Sequence, residues 1–147
     1  MSSENVLEAL EKQVGCYRQL ARLAELQHEH VRQSRTEDLL AVLGQRQQVL
    51  DQVAFWEEAI SPAKRSWSDY LGGLADADRS RAQGLMAESR RLLEEITSAD
   101  QNDAMVLQQR KIEVGRALRL NAAARQVNRS YAATAYAGRE SSVDFRK

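Results

Sequence analysis

Apolar side chains recur in alternating steps of three and four along three long stretches of this chain, and a single proline is the only one available to interrupt them. That spacing puts side chains on one face of an α-helix, and it differs from the two-residue alternation of a half-buried strand. The first stretch, from Val6 to Val31, carries Leu7, Leu10, Val14, Tyr17, Ala21, Ala24 and Val31, with Leu20, Leu23 and Leu26 widening the stripe. The second repeats the pattern at Leu39, Leu43, Leu50, Val53, Trp56 and Ile60, with Leu40, Val42, Val49 and Phe55 beside it. The third runs from about Arg79 to Tyr131 and includes Leu85, Leu92, Leu93, Ile96, Ala99, Val106 and, further on, Val114, Ala117, Leu118, Leu120, Ala124 and Val127.

Breaks between these stretches follow from capping chemistry. Ser34-Arg35-Thr36-Glu37 reads as a capping box, in which hydroxyl and carboxylate satisfy the first free amides of a new helix. Ser61-Pro62 places proline at a first helical position and predicts a break or kink there, followed by a short helix with Trp67, Tyr70, Leu71 and Leu74. Gly72-Gly73 weakens that helix near its end, and Asp76 or Asp78 can cap the next. The polar run Ser98, Asp100, Gln101, Asn102, Asp103 reads as exposed surface within one continuous third helix, with a local break there as the other reading.

Helices are therefore expected over about 4–33, 36–60, 62–74 and 78–131, in one domain covering 1–132, with a flexible tail over 133–147. The fold class is all-α: an elongated antiparallel helical hairpin or three-helix bundle with coiled-coil-like seams. If the third helix outruns its partners, part of its apolar stripe stays uncovered, and such a stripe suits a helix from another protein.

Composition narrows the function. The chain has 21 basic and 21 acidic residues, so no global field draws it to nucleic acid or anionic lipid. Charge is uneven, however, because nine basic residues face three acids from Leu107 onward. That basic limb either steers an acidic partner or keeps a long helix in solution. The opening residues lack the basic and apolar regions of a secretory signal, and no stretch is long and apolar enough to span a bilayer, so a cytoplasmic location without membrane insertion is expected. The lone Cys16 has no internal disulfide partner, in keeping with a reducing compartment.

No constellation for catalysis emerges. His28 and His30 stand two apart on a helix, their rings about 200° apart, and cannot chelate one metal together. Cys16 reads as a small packed hydrophobe, while Glu57-Glu58 and Glu94-Glu95 read as solvated faces. With no phosphate loop, nucleophile elbow or zinc spacing, neither enzyme activity nor a cofactor is expected. Trp56 and Trp67 flank the proline and are expected to pack at the end of the bundle, with a partner groove as the other reading. Tyr131, Tyr136 and Phe145 concentrate aromatics near the end, where Tyr131 is expected to close the seam and exposed rings can anchor a partner.

The chain resembles the FlgN family of flagellar export chaperones over nearly its whole length. The resemblance is carried by Leu7-Glu8-Ala9-Leu10 with Tyr17-Arg18-Gln19-Leu20 and Gln27, by Leu39 to Gln47, and by Leu118, Leu120 and Asn121. More specific is the tail Ala135-Tyr136-Ala137-Gly138-Arg139 before Ser141-Ser142-Val143, similar to the tyrosine-glycine element ending many members. Here Ala137 separates the tyrosine from Gly138, and the usual second glycine is missing.

The resemblance implies a chaperone that keeps the C-terminal helical region of hook-filament junction proteins soluble and delivers it to the type III export gate. Carried over, Val114, Ala117, Leu118, Leu120, Ala124 and Val127 form the cargo face and Tyr136 the gate contact. A sibling chaperone for the filament cap is a variant of this reading. The other class is a self-associating structural coiled-coil adaptor, which predicts a tight dimer where a free chaperone would be a monomer or weak homodimer.

Overall fold

In a computed structural model the backbone is described for residues 3–135 and side chains for 5–130. Four helices account for all but the short links: α1 (Ser3–Arg32), α2 (Thr36–Arg65), α3 (Trp67–Gly72) and α4 (Asp76–Ala135). The fold is all-α, with no strand among the described residues. Of the tail expected over 133–147, residues 133–135 belong to α4 and the others lie outside the described residues.

Contacts divide the chain into two compact units after Val106. In the first unit α1 packs against both α2 and the beginning of α4. Gln13 of α1 reaches Val53 and Glu57, and Gln27 reaches Arg46, so α2 runs antiparallel to α1. Arg18 meets Glu88, and Gln27 meets Asp103, so α4 runs parallel to α1. The core forms two adjoining clusters. One gathers Val6, Leu7, Leu10, Ile60, Leu74 and Ala82, with Trp67 and Tyr70 packed against it. The other gathers Val14, Tyr17, Leu20, Val49, Leu92 and Ile96. Trp56 touches both, as a bundle-packing tryptophan should. Each leucine buried in this way contributes roughly 1.5–3 kcal/mol.

Three local expectations are corrected. The capping box does not form: α2 starts without a side-chain cap hydrogen bond, and Ser34 instead adopts φ 57°. Its amide donates to the Val31 carbonyl at 3.2 Å and that of Arg35 to the His30 carbonyl at 2.9 Å. This pair closes α1 as a Schellman turn, with serine where glycine is usual. Second, Pro62 does not end α2, which continues to Arg65. Ile60 is fully buried, and Ala59 and Ala63 pack on the first cluster, so burial on both sides of the proline holds the helix through it. The break falls at Ser66, with φ −130° and ψ 54°. Third, α2 faces the core through Val42, Val49, Trp56 and Ile60, which leaves Leu40, Leu43 and Leu50 exposed.

The link from α3 to α4 is tied by Arg79, whose guanidinium donates to the carbonyls of Leu71 at 3.0 Å and Leu74 at 2.8 Å. Asp76 and Asp78 sit in the first turn of α4, where negative charge complements the helix dipole.

Candidate functional site: the uncovered face of α4

Helix α4 keeps one seven-residue register along its described length. In the first unit this register sets Ala82, Leu85, Ser89, Leu92, Ile96, Ala99 and Asp103 toward the core, and all are buried or partly buried. The polar run expected on the surface is therefore partly a core layer: Asp103 is only 1% exposed. Its Oδ2 accepts from Gln27 at 3.0 Å and its Oδ1 lies 2.8 Å from His28 Nδ1. Beside it the Arg46 guanidinium grips Asp100 through two bonds of 2.6 and 2.7 Å and also donates to Gln27 at 2.6 Å. Donation to the Asp100 carboxylate holds the Arg46 proton more tightly than usual, against the opposing effect of burial. A layer joining three helices in this way restricts which residues can face one another, because any slip leaves a buried carboxylate unpaired.

In the second unit the register first falls on Arg110 and Glu113 and then on Ala117, Leu120, Ala124 and Val127, and all four of the latter are exposed. Leu120 is 65% and Val127 50% exposed, and Val114 and Leu118 are exposed as well. Of the six residues assigned to a cargo face, Ala117, Leu120, Ala124 and Val127 share one face of α4, whereas Val114 and Leu118 lie about 100° and 140° round the helix from its middle. Tyr136 lies outside the described residues, and Tyr131 belongs to α4 without a described side chain.

The other sequence candidates are tied into the bundle of the first unit. Cys16 is buried, its Sγ 3.7 Å from Gln52 Oε1, and burial pushes its thiol pKa up, away from the nucleophilic thiolate. Glu57 is not merely a solvated residue. Burial raises its pKa, but hydrogen bonds from Gln13 and Lys64 outweigh that and leave it below the ordinary value. Among the described residues no group of three or more His, Cys, Asp or Glu could hold a metal, and no helix is long and apolar enough to cross a membrane.

Two grooves mark the first unit. One of ≈330 Å³ has Ala21, Ala24, Ile96 and Ala99 on its floor and Glu25 and Glu95 along it. The other, ≈530 Å³, lies beside Phe55 and Trp56, whose rings meet edge-on at 4.9 Å. The sequence reading missed the polar layer and the exposed Leu40, Leu43 and Leu50 face. The signal for the first was Gln27, Asp103 and Arg46 falling at seam positions.

No family model, curated protein or solved structure matches this chain.

Proposed function

We propose that the chain is a helix-binding carrier of the FlgN export-chaperone type, acting in the cytoplasm on hook-filament junction proteins. One observation supports the reading above others: the register of α4 returns to apolar residues at Ala117, Leu120, Ala124 and Val127, and all four are exposed. An amphipathic helix of a cargo protein would cover that stripe and keep its own apolar face from aggregating on the way to the export gate.

The test is calorimetry between the full chain and C-terminal fragments of junction proteins. A one-to-one complex is expected, and it should be lost in Leu120→Asp/Val127→Asp without change in the circular dichroism of the free protein. Binding that survives the double substitution removes the stripe from the reading. Tyr136 keeps its assigned role as gate contact only if Tyr136→Ala lowers export while cargo affinity holds.

A second reading, self-association as a structural coiled-coil adaptor, draws on the Leu40, Leu43 and Leu50 face, which offers a further apolar surface. It requires a tight dimer in sedimentation without cargo, whereas the carrier is monomeric or weakly paired. A sibling chaperone for the filament cap would bind fragments of the cap protein in preference to junction proteins.

A further inference from the structure

Among the described aromatic side chains, Phe55 alone packs in neither core cluster. Its ring is 65% exposed, yet the adjacent Trp56 touches both clusters. The two rings meet at 81° with centroids 4.9 Å apart, and with Ala9 and Ala59 they line the ≈530 Å³ groove between α1 and α2. Glu8 and Glu58 are the charged residues of that lining. Neither carboxylate forms an ion pair with a described residue. Lys12, the nearest cation along α1, stays outside the lining, and Lys64 of α2 is held by Glu57. An exposed ring beside two free carboxylates is complementary to a planar cation, which can stack on the ring and donate to the acids. The wider field agrees, because residues 1–106 hold 12 basic against 18 acidic residues, net minus six, which attracts a basic segment and repels the phosphates of nucleic acid or lipid.

We propose that this groove seats an arginine side chain carried by a basic segment of a partner protein. The guanidinium lies against the Phe55 ring and donates to Glu8 and Glu58, while the methylene stem rests on Ala9 and Ala59, whose short side chains leave room for it. Arginine suits the groove better than lysine, because a flat cation can face a ring and two carboxylates at once. A metal ion does not fit, since no group of three or more His, Cys, Asp or Glu among the described residues could hold one. The groove lies wholly in the first unit, and its occupancy does not depend on the α4 stripe.

The full-length protein is titrated by calorimetry with three short peptides, identical except for a central Arg, Lys or citrulline between two leucines. The Arg peptide should bind about tenfold more tightly than the citrulline peptide, which keeps the shape without the charge, and severalfold more tightly than the Lys peptide. Phe55→Ala should abolish the preference for Arg over Lys, and Glu8→Gln/Glu58→Gln the preference for Arg over citrulline, with the helical spectrum of the free protein unchanged in both. Equal binding of the Arg and citrulline peptides to the parent overturns the proposal, and so does a preference that survives both sets of substitutions. If no peptide binds while the protein keeps its helical spectrum, the groove seats no arginine, and the reading of the α4 stripe is left standing. A dimer in sedimentation that Phe55→Ala dissolves puts a second copy in the groove and overturns the foreign partner.

Discussion

Leu92 and Leu120 stand 28 residues apart on α4, a whole number of heptads, yet the first is 5% exposed and the second 65%. The same residue type in the same register has opposite surroundings. In the first unit the repeat packs against α1 and α2, while in the second its apolar residues are exposed. Periodicity thus encodes which side of a helix is meant for contact and leaves unstated who supplies the contact.

The largest test of that contrast compares truncations in the two units. Ile60→Ala, at a fully buried site, should cost about 3 kcal/mol, whereas Leu120→Ala should change stability by less than about 0.5 kcal/mol. Urea denaturation measures both, and comparable losses would mean that Leu120 is covered in the free protein. Asp103→Ala comes next at about 2 kcal/mol, because it strips a buried partner from Gln27 and His28. Asp103→Asn, which keeps an acceptor, should lose less.

Ser34→Gly works in the other direction. It should stabilise by up to about 1 kcal/mol, since φ 57° strains serine and not glycine. A neutral or destabilised variant would show that the greater freedom of glycine in the unfolded chain offsets the relief.

The smallest effect is acid sensitivity in the first unit. Hydrogen bonding from Arg18 holds Glu88 below its ordinary value of 4.5, and Glu57 is likewise lowered. A depressed carboxylate stabilises the fold above its unfolded pKa, and that contribution disappears as pH falls through the folded value. Both groups are partly exposed, so each accounts for less than about 1 kcal/mol after screening. Unfolding midpoints should fall more steeply below pH 4.5 in the parent than in Glu88→Gln.

Helix number and helix type were legible because long three-four periodicity admits few alternatives, while the polar run at 98–103 left the continuity of α4 open. The facing of α2 was not. Leu39, Leu43 and Leu50 and the pair Val42 and Val49 both fit helical spacing with Val53, Trp56 and Ile60, and hydrophobicity alone favours the leucines. The structure selects the smaller valines for the core. The polar layer was illegible for a related reason: a search for apolar repeats counts Gln27, Arg46 and Asp103 as gaps, although partners on three helices make those gaps a shared layer. The residues assigned to a cargo face came from the resemblance, and the structure adds only that they are exposed.

The unbroken backbone of α4 across Val106 also has a kinetic and energetic meaning. Starting a helix from coil carries a statistical weight near 10⁻³, on the order of 4 kcal/mol, whereas lengthening one already begun is nearly neutral per residue. Residues following Val106 inherit their first turns from the packed segment before them, so no second nucleus has to form. Cut free as a peptide, the same residues would have to coil afresh, with Gly115 in their midst to hinder it.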